Sequence, residues 1–337
     1  MTRFRKWLKI LGLSALALLL LAMALPYAFP IAPYDAAITG PFPESRTAVL
    51  AGARIHYRYW QPATAPKGNI VLVHGFCGST FSWRKNIPFL VEKGFRVLAV
   101  DMPSFGYSDR SPEMNRGMAA SNAYVWGAVD AAAQENAIPA GERWWLAGHS
   151  MGGGIIEGMG QVAPERVAGL IFVDGGGFGN EGAGGVISSG IRTVLSIGPL
   201  RRWVEVYAKH RAFTESNIRT LLASAFGEEP DDEAVRGYLD ALKVPRTASA
   251  ILDLARARSS AEIKLDAASI TAPALIVWGE QDSWLPLERG KRLNEQIKGS
   301  EMAVIPGTGH NCMETRPKEF NEAVWKFLEK HTAVAAS

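Results

Sequence analysis

Arg143-Trp144-Trp145-Leu146-Ala147-Gly148-His149-Ser150-Met151-Gly152 runs from an apolar stretch straight into a Gly-x-Ser-x-Gly turn. Arg143–Ala147 reads as a buried strand, and Gly152-Gly153-Gly154 opens a helix that continues through Ile155, Ile156 and Met159 towards Pro164. A serine on so sharp a strand-to-helix turn is held in a strained backbone conformation, with its hydroxyl pushed into a cleft. The glycines two residues to either side are needed because a Cβ there would collide with the neighbouring strand or helix. Three fixed positions in five recur by chance, so the weight of the motif rests on its surroundings.

Those surroundings alternate strand and helix. Thr47–Leu50 and Arg54–Trp60 are β-rich runs, joined as a hairpin through Ala51-Gly52-Ala53. Asn69–Val73, Arg96–Val100, Val167–Val173 and Ala274–Trp278 are continuous apolar strands, and Ala303–Ile305 is a short one. Helices are expected from near Ser82 to Lys93, over Ala119–Asn136, and from Pro317 to Lys330 with Phe320, Val324, Phe327 and Leu328 on one face. Strands that are apolar throughout are covered on both sides. The expectation is therefore an α/β fold whose mainly parallel sheet carries helices on each face. After Asp174 the alternation stops. Gly175–Gly179 reads as a flexible exit, and no clear strand returns until Thr271-Ala272-Pro273. Pro199–Tyr207, with Leu200, Trp203, Val204 and Tyr207 on one face, and Asp231–Leu242 read as helices of a cap. The expected divisions are a core over 46–175 and 266–332 and a helical cap insert over 176–265.

A chain of 337 residues, 47% of them hydrophobic, can bury a sizeable core. Its net charge of +3 owes much to Arg3, Arg5, Lys6 and Lys9, which precede an uncharged stretch from Ile10 to Phe29. No basic patch interleaved with aromatics occurs elsewhere, which argues against a nucleic-acid partner. About twenty apolar residues suffice to cross a bilayer. Positive charge on the amino-terminal side alone places that end inside and the remainder outside. Residues 1–30 are read as a signal anchor followed by a proline-rich linker over 31–45. The alternative is a cleaved signal peptide with core Ile10–Leu21 and the site Ala22-Met23-Ala24. Either way the catalytic part lies on the non-cytoplasmic side, anchored in the first case and secreted in the second. Cys77 and Cys312 are the only cysteines. They are read as separate thiols, with a bond between them as the alternative.

A serine hydroxyl needs a base to take its proton, and the base needs a group to orient it. His310, in Pro306-Gly307-Thr308-Gly309-His310, and Asp282, in Gly279-Glu280-Gln281-Asp282, each follow a strand. Catalytic groups in such sheets gather at the carboxyl ends of strands. The order Ser150, Asp282, His310 suits the geometry. Asp174 also ends a strand at that edge and is the rival for the acid.

With those residues in view, the chain resembles the α/β-hydrolases over about residues 45–331. His74-Gly75-Phe76-Cys77-Gly78-Ser79 is similar to the family's oxyanion loop. Asp101-Met102-Pro103-Ser104-Phe105-Gly106-Tyr107-Ser108 is similar to its Asp-x-Pro-x-x-Gly-x-Ser segment, with Ser104 a mild departure. The resemblance implies an eight-stranded-type sheet, Ser150 as nucleophile, His310 as base and Asp282 as its partner. It also implies an oxyanion hole from the backbone N–H groups of Phe76 and Met151. A serine rather than an aspartate at the elbow disfavours the epoxide- and haloalkane-hydrolysing branches. His74 and His149 are expected to orient backbone. No cofactor or metal is implied. The expected activity is hydrolysis of carboxylic esters, with lipophilic acylglycerol-like esters suggested by the anchor and by Arg201, Arg202, Lys209 and Arg211 on the cap. That basic helix is read as covering the pocket, or alternatively as lying on an anionic membrane surface. Other chemistries of the family are C–C, amide or thioester hydrolysis and acyl transfer. A binding protein without turnover is a further alternative.

Overall fold

The computed structural model describes residues 2–30, 38–177, 196–256 and 263–335. Residues 31–37 of the linker expected over 31–45, and Phe178-Gly179 of the glycine-rich exit, lie outside them. Eight strands form one sheet: β1 (Ser45–Leu50), β2 (Ala53–Trp60), β3 (Gly68–Val73), β4 (Phe95–Val100), β5 (Trp144–His149), β6 (Val167–Val173), β7 (Ala274–Gly279) and β8 (Glu301–Ile305). Their spatial order is β1-β2-β4-β3-β5-β6-β7-β8. β1 and β2 pair antiparallel, as do β2 and β4, and every other neighbour is parallel. The β1–β2 turn needs left-handed backbone at Ala51 (φ 48°) and Gly52 (φ 80°), the geometry that two-residue hairpins favour.

Alternate residues of each central strand serve opposite layers. On one face Val71, Val73, Leu146 and Ile276 pack with α3 (Met118–Glu135), α4 (Met151–Val162) and α9 (Leu287–Gln296) through Val125, Val129, Ile155, Met159 and Leu293. On the other, Ile70, Leu72, Trp145 and Val277 meet α2 (Ile87–Glu92) and α10 (Pro317–Ala335) through Leu90, Phe320, Val324, Phe327 and Leu328. Each such side chain, fully buried, contributes about 1.5–3 kcal/mol. The helix expected over Ser82–Lys93 is two pieces, a 3-10 turn at Thr80–Trp83 and then α2. Pro88 lacks the N–H a continuous helix would require, and it is accommodated in the first turn of α2.

Between β6 and β7 the described residues form four helices: α5 (Gly198–Tyr207), α6 (Glu215–Phe226), α7 (Asp232–Lys243) and α8 (Thr247–Arg256). Asp231 accepts from the Ala234 N–H as the cap of α7 rather than as its first residue. Ile218, Leu222, Phe226, Val235, Leu239 and Leu242 make a small core of their own. α6 and α8 were not expected from the sequence. α5 differs from the rule as well as from expectation. Its Leu200, Val204 and Tyr207 are exposed, while Arg201 and Glu205 turn inward. At the amino end, α1 (Thr2–Ala24) and the 3-10 turn Leu25–Ala28 form one long apolar helix, exposed on nearly every side.

Candidate active site

β5 ends at His149, and α4 begins at Met151. Ser150 between them has φ 51° and ψ −116°, strained for a residue with a Cβ. The strain is maintained by packing. A Cβ on Gly148 would run into the Gly152 carbonyl at the head of α4, and one on Gly152 into the Val73 carbonyl of β3. Ser150 donates its N–H to the Val173 carbonyl (2.9 Å) and accepts from the Gly153 N–H (2.9 Å).

β7 and β8 deliver the other two groups. Asp282, just past β7, accepts from the Trp284 and Leu285 N–H groups at 2.8 and 2.9 Å on one carboxylate oxygen. Its other oxygen lies 2.7 Å from His310 Nδ1. With Nδ1–H donating there, Nε2 of His310 keeps its lone pair and can take a proton. Both side chains are buried. Asp174, the rival acid, instead accepts from the Gly279 N–H (2.6 Å) and the Cys312 N–H (3.3 Å). It thereby ties the Asp282 and His310 loops together, and burial pushes its carboxyl up to about 7.

Two more histidines hold backbone. His74 donates Nδ1–H to the Gly75 carbonyl (2.7 Å) and accepts the Met102 N–H on Nε2 (2.9 Å), which fixes its neutral tautomer. His149 donates from Nε2 to the His310 carbonyl at 2.8 Å. Burial and the nearby His310 hold the His149 pKa well below the usual range, so it stays neutral. Among the described residues the N–H groups of Phe76 and Met151 have no acceptor; that of Met151 is in the first turn of α4, where the helix itself supplies none. Both cysteines are free thiols. Burial pushes Cys77 up to about 12, and burial with the neighbouring Asp174 raises Cys312, so neither is a thiolate at neutral pH. Among the described residues no three His, Cys, Asp or Glu side chains converge as a metal site requires.

Some contacts escaped the sequence reading. Trp284 stacks on His310, with centroids 5.4 Å apart and planes at 26°. Its place two residues after Asp282 was the available hint. The C-terminal carbonyls of α6 hold the histidine loop: Ala225 accepts from His310 N–H (2.7 Å) and Phe226 from Gly309 N–H (3.0 Å). On α7, Tyr238 donates to Glu314 (2.5 Å), which also receives Arg84 (2.5 Å) and Asn311 (3.1 Å). The insert is thus bonded to the loop that carries His310, through pairings between segments far apart in sequence.

The family model for the alpha/beta hydrolase family matches residues 70–323. The chain is 26% identical to an uncharacterized hydrolase, YugF, of Bacillus subtilis over 285 residues, covering 84% of this chain and 97% of that protein. It is also 26% identical to a 2-hydroxy-6-oxononadienedioate/2-hydroxy-6-oxononatrienedioate hydrolase of Cupriavidus pinatubonensis, covering 77% of this chain and 86% of the relative. Among solved structures, a bacterial membrane phospholipase A superposes with a TM-score of 0.62 at 24% identity, over 98% of this chain and 99% of that one. That last likeness speaks to the fold.

Proposed function

Since this chain belongs to the alpha/beta hydrolase family, we propose that it is a serine-dependent carboxylic ester hydrolase. Its substrate is an apolar, glycerolipid-like ester met at a membrane surface, and α1 is its anchor. The observation that carries the reading is the combination of a strained Ser150, two open N–H groups at Phe76 and Met151, and the 2.7 Å His310–Asp282 bond.

In this scheme the Ser150 hydroxyl gives its proton to His310 Nε2 as Oγ bonds to the acyl carbon. The carbonyl π electrons move onto oxygen, which the Phe76 and Met151 N–H groups receive. One such donor is worth about 3 kcal/mol of transition-state stabilisation. Asp282 stabilises the imidazolium and keeps Nδ1–H in place. As the tetrahedral intermediate collapses, the ester C–O bond breaks, and the alkoxide leaves with the His310 proton. Water then attacks the acyl-enzyme by the same steps, with His310 as base and then as acid.

The apolar helix Arg3–Ala28 supports the anchor, as does the likeness over nearly the whole chain to a membrane phospholipase A. A second reading, C–C bond hydrolysis of a dienoate, is favoured by the named activity of the Cupriavidus relative. The test uses full-length protein in detergent. A fluorophosphonate should label Ser150 and be blocked in Ser150→Ala. Among esters of graded acyl length, long chains presented in micelles should turn over at least tenfold faster than short soluble ones. Preference for short soluble esters overturns the lipid part. Turnover of a 2-hydroxy-6-oxo-dienoate with inertness to every ester replaces the reading with the second one. No labelling at Ser150 overturns both.

A further inference from the structure

Ile197, Leu200, Val204 and Tyr207 are 41, 38, 40 and 62% exposed. Their spacing of three and four residues puts them in one stripe along α5. The inward side of the same helix carries an ion cluster beside the buried Val206. Arg201 bonds to Glu205 at 3.0 Å and crosses to Asp253 of α8 at 2.6 Å, and Glu205 is buried. A helix facing water puts these classes the other way round, because water solvates ions and excludes hydrocarbon. α5 is inverted, so the medium on its outer side is not expected to be water.

The neighbour of the stripe indicates which medium. Trp203 Nε1–H donates to the Ala22 carbonyl in the last turn of α1 at 2.8 Å. Arg202 donates to the carbonyls of Pro26 (3.3 Å) and Phe29, with its guanidinium 5.9 Å from the Tyr27 ring centroid. Lys209 donates to the Pro30 carbonyl at 3.1 Å. These partners lie at the end of the apolar helix and just beyond it. Tyr27, Phe29 and Trp203 gather there, as aromatic residues do at the boundary of hydrocarbon and headgroups. Lys209, His210 and Arg211, all exposed, follow the stripe.

We propose that the outer face of α5 is a membrane-docking surface. Its apolar stripe enters the outer boundary of the leaflet from which α1 emerges, and Lys209 and Arg211 meet anionic phospholipid headgroups. The inference rests on the reading of α1 as a span. Membrane contact is then built into the helical insert itself, and α6 and α7 of that insert bond to the loop carrying His310.

The test places p-benzoylphenylalanine at position 204 of the full chain, and separately at Leu16 of α1 and at Val304, an exposed residue of β8. Each protein is irradiated in vesicles of phosphatidylethanolamine with phosphatidylglycerol, and adducts are read by mass spectrometry. Positions 16 and 204 should capture phospholipid, and 304 none. Adduct yield at 204 should fall several-fold when phosphatidylcholine replaces phosphatidylglycerol. Equal yields would strip Lys209 and Arg211 of their part. Lipid at 16 without lipid at 204 overturns the docking surface and leaves the anchor standing. No lipid at 16 overturns the anchor, and the docking surface with it. An adduct of doubled mass through 204 assigns the face to a second copy and also overturns the proposal.

Discussion

The β5–α4 elbow and helix α5 bury opposite things. At the elbow, apolar strands are sealed on both faces, and the polar groups around Ser150 are held by hydrogen bonds at 2.6–3.3 Å. In α5 an ion cluster lies inside, beside Val206, and most of the hydrocarbon is outside. The first is the usual solution for a chain in water, and its order comes from the sheet. The second leaves a stripe of hydrocarbon on the outside, which the proposed membrane contact would cover. The pair teaches that the amphipathic pattern of a helix gives the directions of its faces but not which face is the interior.

Three tests, using four substitutions, probe this contrast, the largest effect first. Asp282→Asn removes the charge that orients His310 and should lower kcat/KM for an ester about 10⁴-fold. Asp174→Asn should stay within about tenfold of the parent. Asparagine tolerates the φ of 45° at this position, and its carbonyl can still accept the Gly279 N–H. If the two variants exchange these outcomes, the acid role passes to Asp174, and the elbow end of the comparison is misassigned.

Next comes Glu157, a buried carboxyl on α4 that accepts from the Gly177 N–H at 2.8 Å. Burial pushes its pKa up to about 7, against an ordinary 4.5. The folded chain holds this proton more tightly than the unfolded one. The stability it brings is therefore full below about pH 4.5 and lost as pH rises through about 7. Glu157→Gln should flatten chemical denaturation free energy between pH 5 and 8 by about 3 kcal/mol. An unchanged slope would show the acid to be better solvated than its burial implies.

The smallest effect is expected at α5. Arg201→Met removes the cation that Glu205 and Asp253 share, leaving Glu205 only Arg202 at 3.7 Å, and should cost about 2 kcal/mol, below the full value for a buried pair because Arg201 keeps some contact with solvent. A melting temperature unchanged or raised would show that apolar packing suits the inside of α5 better, and the inversion would lose its ionic half.

Much of the core could be read along the chain. β3 and β6 differ by at most one residue from expectation, because sealed strands leave a continuous apolar run. The pairing of Asp282 with His310 could be anticipated because each follows a strand, and a parallel sheet brings such ends to one edge. The insert was less legible. Glu215–Phe226 buries Ile218, Leu222, Ala225 and Phe226 within the insert alone, a stripe the sequence reading passed over, whereas Thr247–Arg256 divides Ile251 and Leu254 between the insert and the main core.

By itself, the sequence determined that Ser150, Asp282 and His310 each follow an apolar strand, in that chain order, and which glycines permit the turn. Both follow from local sterics and from the continuous apolar runs of strands sealed on both faces. The tertiary structure decided that Asp282 rather than Asp174 reaches His310, since two carboxylates ending neighbouring strands are told apart only by where each oxygen points. It also decided which side of α5 faces inward, because that depends on the neighbours the fold supplies, Asp253 on one side and the end of α1 on the other.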